Sequence, residues 1–343
     1  MRRSNRPARV VSVCLLGKKA TAPGMNRARA DLLMTVVQAL AQKKWAPIDA
    51  VIFPGGYFRS RAFIGHRDHE ERCQLLLKEA FAEGVCKASR LLDRQTSGAI
   101  LAVGCDSAPP NTKEIGDQSC IAFRRGQIIG LARKIFPASG DTAREVLPIV
   151  PCVSDYGAEV RFVTLPNGST AMLAACYDLF GLTEDPNAPG RRAQHVRYLW
   201  DGRYIGTTGR ITALRNACLA EWHRVLKAAQ PDLAVCAIHR FKRPGLDGFW
   251  QRHGIASASA VLNGGLVVGA AHFESWLPKA GASTLASDRV PKRHLTAGTS
   301  RQAYRLAPSE SFGVAQAGGE LAALVRLFEA RPATIQRDTK RRS

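Results

Sequence analysis

The sequence predicts an α/β layered domain, and three observations carry that reading. Short apolar runs, among them Val10–Leu16, Ala99–Val103 and Leu233–Ile238, alternate with longer segments whose apolar residues recur at helical spacing. The hydrophobic fraction of 45% is ordinary for a soluble globular chain. No apolar run approaches the ~20 residues that a membrane-crossing helix needs.

The elements follow in order. Val10–Leu16 is a first strand. Arg27–Lys44 is a helix, with Leu32, Leu33, Val36, Val37 and Leu40 on one face. Ala50–Phe53 is a short buried strand that ends in Pro54-Gly55-Gly56, a turn signal. His69–Leu92 reads as one long helix, with Leu75, Leu76, Ala80 and Phe81 on one side. Ala99–Val103 is a strand ending in Gly104-Cys105-Asp106. Ser119–Phe123 and Gln127–Ala132 form a hairpin, and Arg124-Arg125-Gly126 supplies its turn. A second hairpin joins Val160–Leu165 to Ser169–Ala175 through Pro166-Asn167-Gly168. Asp185–Gly209, rich in Pro, Gly and Arg, reads as an inserted surface loop. Ile211–Ala229 is a helix and Leu233–Ile238 a strand. Trp250–Leu262 is a helix stopped by Asn263-Gly264-Gly265. Leu266–His272 is a strand, 278–300 is irregular, and Glu320–Ala330 reads as a last helix. No repeat or internal linker divides the chain. One domain is expected over 8–330, with an insertion at about 184–210 and basic tails at 1–7 and 331–343.

The formal net charge is +21. Four arginines in 1–9 and five basic residues against Asp338 in 331–343 place eight of those charges near the ends. Basic ends can meet phosphates or anionic surfaces. No aromatic-interleaved basic motif accompanies them, so nucleic-acid binding is expected to go no further than weak tail electrostatics, and no membrane partner is expected. The nine cysteines are odd in number, dispersed, and free of any C-x-x-C spacing. That is the usage of a reducing compartment, and a cytoplasmic location is expected. Arg2-Arg3 followed by Val10–Leu16 imitates a signal peptide, but the apolar stretch is short and ends in Lys18-Lys19. His66 and His69 lack a third ligand at fitting spacing, so neither a metal nor a cofactor is expected.

The chemistry concentrates near Cys176. It closes the apolar run Thr170-Ala-Met-Leu-Ala-Ala175 and precedes Tyr177-Asp178, so a thiol sits where a strand breaks into a turn or helix. Such a position favours the thiolate, the nucleophilic form. Lys134, at the end of an apolar strand, could stabilise an oxyanion. Glu145 could hold Lys134 or act as a base. Gly55 and Gly56 could bring backbone close to a ligand, and Tyr57, Tyr177 and Asp178 are further pocket candidates. Asp178 is more suited to capping a turn than to chemistry.

Six stretches in this order resemble the nitrilase, or carbon–nitrogen hydrolase, superfamily. Asp49-Ala-Val-Ile-Phe-Pro54 resembles the strand that presents the family's first catalytic Glu, and Ala99-Ile-Leu-Ala-Val-Gly104 the next core strand. The hairpin Cys120-Ile-Ala-Phe-Arg-Arg-Gly-Gln-Ile-Ile-Gly-Leu-Ala-Arg-Lys134 resembles the one ending in the catalytic Lys. Glu145 sits where many members carry a second Glu. Gly168-Ser-Thr-Ala-Met-Leu-Ala-Ala-Cys-Tyr-Asp178 resembles the nucleophile motif, 42 residues from Lys134 to Cys176. Trp250–Val268, with Asn263, resembles the late helix and strand. The resemblance implies a four-layer α-β-β-α sandwich, a tendency to form homodimers, and thiol attack by Cys176 on a small amide, carbamoyl compound or nitrile. The departure is Gly55, which stands where the family has Glu. The alternative reading is therefore a catalytically silent relative that binds or interacts through a kept pocket. A different thiol fold is also open. Phe53-Pro-Gly-Gly56 followed by Val103-Gly104-Cys105-Asp106 resembles the glutamine-amidotransferase-like group, in which Cys105 would sit on an elbow.

Overall fold

The computed structural model describes residues 6–17, 24–60, 68–107, 117–136, 138, 159–182, 213–262, 265–274, 285–288, 306–315 and 321–330. Glu145, the expected 184–210 insertion and the C-terminal tail lie outside them.

The sheet forks at its first strand. Arg9–Leu16 (β1) pairs along its whole length with the antiparallel strand Ala322–Glu329 (β13). On its other edge, Val10–Ser12 pair with Ala50–Ile52 (β2), while Leu15 and Leu16 pair with His272 and Phe273 at the end of Leu266–Phe273 (β10). One half-sheet continues from β2 to Ile100–Ser107 (β4), Asp117–Arg124 (β5) and Gln127–Arg133 (β6). The other continues from β10 to Leu233–Phe241 (β9), Thr170–Ala175 (β8) and Phe162–Thr164 (β7). Phe58–Ser60 (β3), Ala286–Ser287 (β11) and Glu310–Ala315 (β12) add short strands to β4, β10 and β13. Apart from β13 on β1, the central pairings from β4 through β1 to β8 are parallel, and the outer hairpins are antiparallel.

Three apolar clusters show how the halves stack. The outer face of the first half is covered by Asn26–Gln42 (α1) and Ala82–Thr96 (α3), with Leu32, Val36 and Leu92 against Val51, Leu101 and Ile121. The outer face of the second half meets Ala213–Ala229 (α4) and the helical stretch 246–261, with Trp222 and Ile255 against Met172, Cys236 and Val267. Between the halves lie Ile52, Ala102, Cys120 and Ala122 against Ala171, Leu173, Val235 and Ala237. Because side chains alternate along a strand, Leu101 faces the helices and Ala102 faces the other sheet. The result is the expected α-β-β-α order. The middle layer is rich in Ala, and such small side chains let two sheets approach closely.

Three expected elements differ. The long helix is two helices, His69–Leu77 (α2) and α3. Leu76 and Phe81 are both buried, and Phe81 stacks on Phe58 with centroids 4.5 Å apart. Five positions turn a helix about 140° off the same face, so an unbroken helix cannot bury both. The expected last helix is β13. Its run Leu321-Ala-Ala-Leu-Val-Arg-Leu-Phe328 is apolar enough for either period, and pairing with β1 decides it. Leu321, Ala323, Val325 and Leu327 then share one face in the first cluster. The helix expected from Trp250 starts earlier, at Leu246 (α5, Leu246–Trp250), and passes through a π turn at Gln251–Ile255 into Ala256–Val261 (α6).

Arg6, expected in the N-terminal tail, is held by Asp49 through two bonds of 2.6 and 2.8 Å. Asp49, fully buried, also accepts from the Arg9 and Asn167 backbone amides.

Candidate active site

The site is built by strands that run past the apolar middle layer. In β4 the inward positions Ala102 and Gly104 are followed by Asp106. In β9 Ala237 is followed by His239, in β5 Cys120 is preceded by Gln118, and after β6 Ala132 is followed by Lys134. Each polar residue continues the period-two inward register one step beyond the core. Together they line the open end of the sandwich.

A cavity of about 440 Å³ occupies that end. Gly56, Arg59, Asp106, Gln118, Lys134 and Cys176 line it. His239, Arg240, Lys242, Tyr177 and Trp250 line it as well. Cys176 lies at the break after β8, 6% exposed, and opens a 3-10 turn that runs to Gly181. Its φ is +47°, a left-handed conformation that a non-glycine residue adopts only where its surroundings hold it. Two bonds do so here. Asp178 Oδ2 accepts from the Ala175 amide at 3.1 Å, and the Cys236 thiol donates to the Cys176 carbonyl at 3.6 Å.

Asp178 is a positioning residue rather than a pocket residue. It is fully buried and is not among the cavity lining. Its Oδ1 accepts from the Ile135 amide at 2.6 Å and the Phe136 amide at 3.3 Å, and Arg161 donates to Oδ2 at 3.3 Å. It thus ties the strand end carrying Lys134 to the break carrying Cys176. Burial raises its pKa against the opposing pull of Arg161 and these backbone donors.

Lys134 is 3% exposed, and its Nζ donates to Gln118 Oε1 at 2.6 Å. The same ammonium lies 5.7 Å from the Tyr177 ring centroid. Trp250 meets Tyr177 edge-on at 5.6 Å and forms an aromatic wall beside it.

His239 and Asp106 were not among the residues singled out from the sequence. His239 Nε2 and Asp106 Oδ1 are 2.8 Å apart. Burial pushes the imidazole pKa down, but the Asp106 carboxylate and the Cys176 thiol outweigh it and raise it to about 10. Nδ1 is buried and makes no hydrogen bond of good geometry. The ring rests against Gly55. A Cβ on residue 55 would come within 2.7 Å of Nδ1 and 2.9 Å of the Ala237 carbonyl oxygen. Gly56 has φ +62°, and a Cβ there would meet Asp106 Oδ2 at 2.7 Å. The turn is pinned by the Gly55 amide, which donates to the Ile238 carbonyl at 2.8 Å.

Of the other candidates, Gly56 and Tyr177 line the cavity, and Gly55 backs the imidazole. Tyr57 lies away from the cavity. It is buried under α1, packs on Phe53 and Phe58, and donates its hydroxyl to the Arg29 carbonyl at 2.7 Å. Cys105 is buried within β4, not on an elbow, which removes the glutamine-amidotransferase-like alternative. Glu145 lies outside the described residues. The signal for His239 and Asp106 was present in the register, since each stands two places beyond an inward-facing small residue.

No family model matches the chain, and no curated protein matches it. Among solved structures it is similar to a cysteine-to-alanine variant of the Nesterenkonia AN1 amidase from the nitrilase superfamily, at 13% identity over 97% of this chain and 93% of that one, with TM-score 0.47. It is similar to a complex of that amidase with butyramide, at 13% identity over 96% and 92% of the two chains and TM-score 0.48. It is also similar to Saccharomyces cerevisiae Nit3, a member of branch 10 of the nitrilase superfamily, at 10% identity, 99% of each chain and TM-score 0.47.

Proposed function

We propose that this protein is a carbon–nitrogen hydrolase-like enzyme in which Cys176 attacks a small amide, carbamoyl compound or nitrile. One observation supports the reading above the rest. Cys176, on a strained strand break, and Lys134, a buried ammonium, line the same cavity. For an amide, the sulfur bonds to the carbonyl carbon and the C=O electron pair moves onto oxygen. The Lys134 ammonium stabilises that oxyanion. Collapse breaks the C–N bond and leaves a thioester, which water then hydrolyses. Arg59 and Lys242 also line the cavity, beside an Arg240 that is paired with Glu274 at 2.6 Å, and favour an amide that carries a negative charge. Glu145 as a partner of Lys134, a homodimeric assembly and a cytoplasmic location are parts of the same proposal.

The test is ammonia release from a panel of small neutral and anionic amides, carbamoyl compounds and nitriles, with acyl-enzyme masses read on the Cys176 peptide. Turnover that disappears in Cys176→Ala, with a thioester adduct in the wild type, supports the reading. Activity that survives Cys176→Ala overturns it. No turnover together with an unreactive Cys176 favours the silent, pocket-bearing alternative.

A further inference from the structure

The nitrilase-like reading leaves a proton unassigned. The thiol must lose one, and the leaving amine must gain one. Gly55 has no side chain to carry it. We propose that His239, oriented by Asp106, is the acid–base residue of this site, so that the chain performs its thiol chemistry with a Cys176–His239–Asp106 triad in place of the carboxylate missing at residue 55. This deepens the thiol reading above and rests on it.

Four observations converge. Cys176, His239 and Asp106 line one cavity. The 2.8 Å contact of Nε2 with Asp106 fixes the tautomer: the carboxylate accepts the Nε2 proton, which leaves Nδ1 as the exchangeable nitrogen. Nδ1 is the buried nitrogen without a well-formed bond, and the Cys176 thiol acts on the ring's titration. The space the ring fills exists because residue 55 is glycine, with the ring 2.7 Å from where a Cβ would stand. The departure from the family pattern and the imidazole are therefore two sides of one arrangement. The combination of thiol, imidazole and an orienting third group recurs on unrelated folds because it is a geometry, not a fold.

The step balances as follows. The Cys176 proton passes to His239 Nδ1, giving thiolate and imidazolium. The thiolate bonds to the amide carbon, and the pair on oxygen is stabilised by Lys134. Collapse breaks the C–N bond, and the imidazolium proton goes to the departing nitrogen. The neutral imidazole then takes a proton from water as its oxygen attacks the thioester. Expulsion of the Cys176 thiolate releases the acid and restores the ion pair. Among the described residues, the charged and titratable groups lining the ring's cavity are Asp106 from β4, Arg59 from β3, Lys134 after β6, and Cys176 and Tyr177 after β8. Arg240 and Lys242 follow the ring on its own strand.

The experiment is the pH dependence of Cys176 alkylation by iodoacetamide, read by peptide mass spectrometry, in the full-length wild type, His239→Gln and Asp106→Asn. Circular dichroism checks the fold of each. The wild type should alkylate with an inflection well below the ~8.5 of a free thiol. His239→Gln should move that inflection up by more than one pH unit, and Asp106→Asn by less. If His239→Gln does not fold, the Asp106→Asn shift decides alone, since that variant keeps the shape and removes the charge. An activated Cys176 with the same inflection in the variants overturns the triad and leaves the thiol reading standing. A wild-type Cys176 that is unreactive across the range overturns both.

Discussion

Cys176 is one of several thiols in the described core, and its surroundings set it apart. Burial pushes Cys120 up to about 12 and Cys73 to about 11, and lifts Cys236 well above the usual thiol range. Cys120 and Cys236 are buried and behave as small hydrophobes, while the half-buried Cys73 meets His69 Nε2 at 3.5 Å. Cys176 reaches a cavity beside an imidazole and an ammonium, so at neutral pH it should be alkylated before Cys120 and Cys236, as peptide mass spectrometry would read. Replacing Lys134 by Gln should lower kcat by roughly 10²–10³-fold while leaving that alkylation measurable, since it removes the oxyanion partner and not the nucleophile. Asp178→Asn should leave the Arg161 guanidinium buried without its counter-charge, at a cost of about 3–5 kcal/mol in urea unfolding. His239 gives a pH signature. Its folded-state pKa, about 10, lies above the usual 6.5, so its stabilising contribution is full below about pH 6.5 and is lost as pH rises toward 10. Wild-type unfolding followed across that window should show a decline that His239→Gln lacks.

At the scale of elements, strand order and register explain what could be read from sequence. Cys176 and Lys134 end apolar runs, and the order of the motifs around them, similar to the nitrilase pattern, singled them out as candidates. His239 and Asp106 also end apolar runs, but their roles depend on which face of each strand turns inward, and that is fixed only when two sheets stack. Helix-like periodicity over Glu320–Ala330 failed for a related reason. A run apolar on both faces fits a helix or a strand, and the open edge of β1 chose the strand. The break between α2 and α3 follows from Phe81, whose stacking partner Phe58 is distant in sequence. The middle layer gives an element-scale prediction. Ala122, fully buried between the sheets, has no room for a larger side chain, so Ala122→Leu should destabilise by about 1–3 kcal/mol through overpacking, read by denaturant midpoint.

For the molecule as a whole, the four-layer order was what the nitrilase resemblance implied, and the alternation of strands and helices made an α/β layered domain legible. The base was not, since it joins residues 106 and 239 across the gap between the sheets. The excess positive charge acquires a local meaning at the cavity, which Arg59 and Lys242 line together with the Glu274-paired Arg240. For an anionic amide, kcat/KM should fall as salt rises from low ionic strength to 0.15 M, whereas a neutral amide should show little change. No helix among the described residues is long and apolar enough to cross a membrane. The fork at β1 has a consequence for the order of events during synthesis. β1 waits for two partners made much later: residues 272–273 of β10, which join the half-sheets, and residues 322–329 of β13, which close its far edge. The first half-sheet can therefore gather its helices early but carries an unpaired edge until residues 322–329 have been made. A nascent chain stalled before residue 322 is the form of this protein most exposed to sticking to its neighbours.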